Sequence, residues 1–405
     1  MRIPDVDPAQ VDDLIKTLET QIAHDYTPPH FKRDAHPKVH GCVQGVLEVC
    51  PDLPEHLREG LFAHPRSYCA WVRFSNAFKI QHDLEFETRG MAIKLVDVGD
   101  APRALTAGLE GDRERRTQDF LLATHDAFFL PSMKYDYQKF AEATAIGQWA
   151  VFKFFWHQHL VRKGWLALIR SAFVKARNPL AITYHSQTPY AFGDKAVVKL
   201  RARPRWSLRL EHTYTSDLLF LLKAIVANGA LAVGQWRAKA QAAQNFCDKY
   251  LAPRDLLRYA MMETLAAQDV TFDITVQSRR EPIESIGDDA TKRWSEATWP
   301  FERVATLTIP RQVFWPAPGM PEPVQKATER MMALGENMSF NPWHALRAHM
   351  PLGSINEARA RIYTKISQFR RSANVIDQPV PTEREYLELK QIVRDGLMPR
   401  DGTRA

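Results

Sequence analysis

Seven short apolar runs, scattered over most of the chain, constrain its fold more than any other feature. CVQGVLEV at 42–49, YCAWVRFS at 68–75 and GMAIKLVDV at 90–98 follow closely on one another. QDFLLAT at 118–124, KAVVKLRARP at 195–204, VTFDITVQSR at 270–279 and FERVATLTIP at 301–310 come at wider intervals. Each is bounded by polar or turn residues and favours β-branched or aromatic side chains, so each reads as a strand. Strands so spaced predict an antiparallel sheet or barrel with helical insertions. Val11, Leu14, Ile15, Leu18 and Ile22 recur at helical spacing and predict an amphipathic opening helix over 8–24. Two stretches, about 133–177 and 216–268, read as inserted helices, and residues 380–397 as one closing helix. No repeat, low-complexity tract or linker divides the sequence, which predicts a single domain over 1–405.

Composition removes several function classes. With 45% hydrophobic and 25% charged residues the chain can bury a large core, which argues against disorder. Its first residues, MRIPDVDPAQ, carry acids and prolines in place of the basic start and apolar run of a secretory signal, so a cytoplasmic location is expected. Cys42, Cys50, Cys69 and Cys247 form no C-x-x-C pair, and reduced thiols are expected. The longest apolar stretch, Leu218 to Val233, includes Lys223, Asn228 and Gly229 and falls short of the roughly 20 residues a spanning helix needs. A buried or surface-lying helix is expected there. The other insertion, with VFKFFWHQHLVRKGWLALIRSAF, should pack on the sheet, a membrane surface or an apolar channel being the alternatives. The net charge of +7 is dispersed; it suits anionic ligands, and no nucleic-acid motif accompanies it.

Three motifs carry chemistry. In Gly353-Ser-Ile-Asn-Glu-Ala-Arg359-Ala-Arg-Ile-Tyr363-Thr-Lys-Ile-Ser-Gln-Phe-Arg370, a helix would set Arg359, Tyr363 and Arg370 on one face. A guanidinium one turn before a phenol favours the phenolate, which is a competent axial ligand for ferric haem. In Arg33-Asp-Ala-His36-Pro-Lys38-Val-His40-Gly41, a neutral imidazole could move a proton between the two oxygens of a peroxide. Spacing alone leaves His36 and His40 in competition for that role, and four apart on a helix they could instead chelate a metal. In Trp71-Val-Arg73-Phe-Ser75-Asn, Arg73 and Ser75 share one strand face, joining an anion-binding base to a hydroxyl that can orient an imidazole.

In this order and spacing the motifs resemble the catalase superfamily, and more closely its small members that keep only the haem-binding core. Arg33-x-x-His36-x-Lys38 is similar to the distal-histidine segment, Arg73-Phe-Ser75 to the propionate arginine and the serine behind that histidine, and Arg89-Gly-Met-Ala-Ile-Lys94 to the R-G-x-A-x-K strand. Arg359-x-x-x-Tyr363, with Arg370 beyond it, resembles the proximal ligand helix. YHSQTPYAFG at 184–193, DDATKRW at 288–294 and FNPWHALRAHMPLGSINEAR at 340–359 are smaller matches. The resemblance implies an α+β fold: a catalase-like antiparallel β-barrel core with surrounding and inserted helices, and b-type haem between barrel and helices. It implies Tyr363 as the iron ligand, Arg359 as its charge partner, His36 as distal acid and base, and Arg33, Arg73 and Arg370 on the propionates. Ser75 and Phe129 join that haem-binding set. Larger catalases carry a C-terminal flavodoxin-like domain without counterpart here, so no bound NADPH is expected.

One position departs from the family. In QDFLLATHDAFF, Thr124 stands where an Asn amide usually serves bound peroxide, so Thr124 is read as a distal residue that disfavours disproportionation of hydrogen peroxide. These residues predict a haem peroxidase or weak catalase using hydrogen peroxide or organic peroxides with a small-molecule reductant. A lyase or isomerase of lipid hydroperoxides, of the allene-oxide-synthase type, is the alternative, although that branch has Thr before its distal histidine and this chain has Ala35. A haem-binding protein without catalysis is the third reading. A homo-oligomer is expected.

Overall fold

The computed structural model describes residues 6–77, 80–104, 116–133, 139–140, 143, 148–157, 159, 178–205, 217–280, 288–375 and 381–397, without the side chains of 148–149 and 217–221. Its centre is a ring of antiparallel strands: β1 (Val39–Val49), β2 (Ser67–Asn76), β3 (Arg89–Val96), β4 (Thr117–Ala123), β5 (Tyr184–His185), β6 (Tyr190–Phe192), β7 (Ala196–Pro204), β8 (Val270–Arg279) and β9 (Phe301–Ile309). Hydrogen bonding runs in the order β5-β4-β3-β2-β1-β9-β8-β7, and β5 also pairs with β7, which closes eight strands into a barrel. β6 hangs on β7 outside that ring. The fold is therefore the α+β barrel that the strand pattern predicts, and all seven predicted runs contribute strands.

Strand register separates two chemistries. Val43, Val72, Ile93 and Phe120 stand side by side across β1 to β4, and all are buried in the main core. The next row, Gln44, Trp71, Lys94 and Asp119, points the other way, because side chains alternate along a strand. Arg73, Ala92 and Leu121 continue that outer face, followed by Ser75, Gly90 and Ala123. Lys94 and Asp119 are fully buried and joined at 2.8 Å, with His344 3.0 Å from the carboxylate. Removing one member of such a pair would cost about 3–5 kcal/mol. The pair also tethers the distant loop at 338–341, since the Asn341 N–H donates to Asp119.

Helices cover the outer face. α1 (Pro8–Asp25) begins where the Asp7 side chain accepts from the Ala9 N–H. α2 (Gln148–His157) lies in the first predicted insertion, and α3 (Asp217–Trp236), α4 (Ala240–Tyr250) and α5 (Leu256–Ala267) fill the second. α6 (Glu322–Asn337), α7 (Ser354–Asn374) and α8 (Glu383–Asp395) complete the set among the described residues. Most of the first predicted insertion, including 160–177, lies outside the described residues; its described helix α2 packs not on the sheet but in a second core, where Val151, Phe154 and Phe155 meet Phe128 and Phe140, with the apolar faces of α1 and α7. Each buried Leu, Ile or Phe there contributes about 1.5–3 kcal/mol. No helix among the described residues is long and apolar enough to cross a membrane.

Candidate haem site

α7 enters through a fixed turn. Gly353 has φ +89°, a conformation L side chains rarely adopt, and the Asp288 carboxylate accepts from the Ser354 N–H at 2.8 Å. Ile355, Ala358, Ile362 and Ile366 bury one stripe of the helix against α1 and its neighbours. Arg359, Tyr363 and Arg370 line a cavity between α7 and the outer face of β2, β3 and β4. It is partly open to solvent. Arg33, His36, Arg73 and Ser75 line the same space, so seven of the predicted site residues converge on one cavity.

His36 sits on the strand side. Its backbone is left-handed (φ +61°), its N–H donates to Ala77 at 2.7 Å and its carbonyl accepts from Arg73 at 2.8 Å. Nδ1 lies 3.0 Å from the Ser75 hydroxyl, which leaves Nε2 as the second ring nitrogen for chemistry. A Cβ on Gly90 would lie 2.4 Å from His36 Cε1, so only glycine on β3 admits the ring in this place. Burial, reinforced by Arg73, Arg359 and Arg33, pushes the imidazole pKa down to about 3 and keeps the ring neutral at physiological pH. His40 is held elsewhere: it is fully buried in the barrel wall, 2.6 Å from Asn76 Oδ1, beside the Lys38–Asp83 ion pair. Among the described residues no cluster of three or more His, Cys, Asp or Glu could hold a metal ion.

The three remaining arginines gather at the C-terminus of α6. Gly335 lets that helix press on β1, for a Cβ there would meet the Cys42 Cβ at 2.6 Å. Helix termini leave carbonyls without partners, and here guanidinium groups supply them. Arg33 and Arg73 donate to the Gly335 carbonyl at 3.0 and 2.9 Å, Arg33 also to Met338, and Arg370 to Glu336 at 2.9 Å. Burial lowers the pKa of all three, and mutual repulsion adds to the shift of Arg33. The nearest carboxylate contact is loose, Glu336 to Arg33 at 3.9 Å, and Arg370 Nε is buried without a hydrogen-bond partner. A buried cluster this rich in cations suits a ligand with anionic groups at one edge. Met91, Ala92, Leu121, Leu122, Phe340 and Ile366 supply apolar walls. In their chemistry the residues present fit a haem: guanidinium groups suited to propionates, with a phenol and an imidazole on the same cavity.

Three expectations meet different surroundings. Arg359 does lower the Tyr363 pKa, but burial is the larger influence and Asp34 adds to it, so the phenol stands above its ordinary value. The Arg359 guanidinium also donates to Asn356 at 3.1 Å. Thr124 does not line the cavity; its hydroxyl accepts from the Arg89 N–H at 3.4 Å, and Ala123 presents the wall at that end of β4. Phe129 is likewise absent from the lining, because it stacks between Phe128 and Phe140, at 4.2 and 4.5 Å, in the second core. Sequence reasoning missed Asp34, Ser186, Gln187, Ser339 and Phe340, which do line the cavity. Asp34 lies in the Arg33–His36 motif, Ser186 and Gln187 in the YHSQTPY match and Phe340 at the start of the FNPWHAL match, but none of these says which way a side chain points, and the left-handed backbone of Gln187 (φ +60°) is not visible in sequence.

No family model matches the sequence, and no curated protein matches it. Solved structures do. A fungal catalase shares 16% identity with a TM-score of 0.59, over 95% of this chain and 68% of that one. Catalase A from Saccharomyces cerevisiae shares 15% at 0.56, over 91% and 67%, and a bacterial catalase 18% at 0.51, over 93% and 64%. This chain thus has the catalase fold, in about two thirds of the length of those enzymes.

Proposed function

We propose, from that catalase-like fold, that the chain binds a b-type haem through Tyr363 and acts on peroxides as a peroxidase or weak catalase. The observation that carries the reading is the convergence of His36, Tyr363 and four arginines on one largely apolar cavity. Haem, when bound, supplies the redox chemistry by which a peroxide is reduced. The protein's share is placement and proton movement. Ser75 fixes one nitrogen of the neutral His36, so the other can take a proton from one peroxide oxygen and return it to the departing oxygen. On haem binding Arg359 would support a Tyr363 phenolate against the burial that raises the free phenol, and Arg33, Arg73 and Arg370 would hold the propionates.

The wall near His36 favours a second reading beside the first. Ala35, Gly90, Ala92, Leu121 and Ala123 face that space, Thr124 is turned to Arg89, and the amide of Gln187, also on the lining, donates to the Ala127 carbonyl at 3.2 Å. Such a wall suits an apolar hydroperoxide better than a second hydrogen peroxide, and supports rearrangement of a lipid hydroperoxide as the alternative activity. The optical spectrum of the haem-loaded protein tests the ligation. A tyrosinate-ligated ferric spectrum is expected, lost in Tyr363→Phe while the fold persists. An unchanged spectrum and haem content in that variant would overturn the assignment. Consumption of a fatty-acid hydroperoxide without an electron donor, with no response to hydrogen peroxide, would move the reading to the second activity.

A further inference from the structure

α3 is apolar on both sides. Its inner stripe, Ala227 and Leu231, packs on Ala243 and Cys247 of α4, and Gly234 permits the approach, since a Cβ there would meet the Ala243 Cβ at 2.5 Å. On the opposite arc Leu222, Ile225, Val226 and Val233 are each about half exposed, at 49, 51, 48 and 51%, and Trp236 is 81% exposed. Gly229 and Ala232, also exposed, fill the same arc. Lys223 is the single charged residue between 222 and 236, so the stripe runs about 21 Å, at 1.5 Å per residue, with no charge along its middle. A helix apolar all round is ordinarily buried on all sides.

What surrounds the stripe identifies its partner. Exposed Arg237 stacks over Trp236 at 5.7 Å, and on α4 exposed Lys249 stacks over Tyr250 at 5.1 Å, beside Phe246 at 5.4 Å. Lys239 is exposed at the junction of the two helices. Asp248, the acid among them, lies 3.5 Å from His82. Aromatic rings beside cations, at the end of an apolar helix face, are the arrangement suited to the boundary between headgroups and acyl chains. We propose that the outer face of α3, with the exposed end of α4, docks on an anionic lipid bilayer, with α3 lying along the surface. A second copy of the chain would bring cations against cations, whereas an anionic headgroup layer compensates them. The proposal stands apart from the haem assignment.

Sedimentation of the full chain with phosphatidylglycerol/phosphatidylcholine vesicles, and with pure phosphatidylcholine vesicles, tests it. Binding to the anionic vesicles is expected to exceed binding to the neutral ones and to weaken as salt rises. Ile225→Glu with Val233→Glu should reduce vesicle partitioning at least tenfold with the melting temperature unchanged, since both side chains point outward. Arg237→Glu with Lys249→Glu should remove the preference for anionic lipid. Absence of binding, or binding indifferent to the apolar-face variant, overturns the proposal. So does a dimer in analytical ultracentrifugation that the same variant dissociates.

Discussion

His36 combines a left-handed backbone, a hydrogen-bonded ring and a glycine neighbour, and each constrains it separately. A left-handed non-glycine residue costs on the order of 1–3 kcal/mol, a strain that its contacts with Ala77, Arg73 and Ser75 offset. Gly90→Ala should therefore bind haem yet displace the ring and slow the reaction with peroxide. His36→Ala should slow it by about 10²–10⁴-fold, the usual effect of losing a placed acid and base. His40→Ala should act mainly on stability. Stopped-flow mixing with peroxide ranks the three, and a larger kinetic effect at His40 than at His36 would transfer the role. With its pKa near 3, His36 should hold this rate level on acidification through pH 6.5, where an ordinary histidine would gain a proton. At this scale the sequence left His36 and His40 equal by spacing, and only the resemblance favoured His36. The physical difference between them, cavity against barrel wall, depends on strands drawn together from distant parts of the chain.

At the scale of elements, legibility follows periodicity. Arg359, Tyr363 and Arg370 were readable as one face because helical spacing fixes which side chains share a side. Arg73 and Ser75 were readable because alternation fixes it along a strand. Ser186, Gln187, Ser339 and Phe340 come from loops, where no period reports direction, and the last two depend on the tether from Asn341 to Asp119. Thr124 and Phe129 show the complementary failure. Each lies in a segment that borders the cavity, but a contact made elsewhere decides its direction: Thr124 with Arg89, Phe129 with Phe128 and Phe140. The second inserted region was legible as helical, yet the outward face of α3 was not, because an apolar stripe in sequence does not say whether protein covers it.

Across the whole molecule, buried neutral histidines couple folding to pH. Burial lowers His36 to about 3, and His40, His185 and His349 to about 4. The unfolded chain binds protons at these sites near pH 6.5, so between about pH 6.5 and 4 it holds more protons than the folded chain. Stability must then fall as pH falls, on the order of 1 kcal/mol per pH unit for each histidine at most. The urea midpoint of the haem-free protein should drop steadily from pH 7 to 4.5, and a midpoint constant over that range would contradict the four shifts.

The barrel is closed by a clasp, not a continuous hoop. β1 and β2 share a ladder from Val39 to Glu48, whereas β5 meets β4 at Ala123↔His185 alone and β7 at two positions. Ala123, Ser186 and Gln187 border the cavity at this seam. Local opening draws on the least hydrogen-bonded part of a structure, so the clasp should unfasten while the remaining strands stay paired. A broad, flat ligand would then have a lateral way into a protein already folded. Amide hydrogens of 184–187 should exchange faster than those of β2 and β3, and haem uptake should slow when the clasp is tightened.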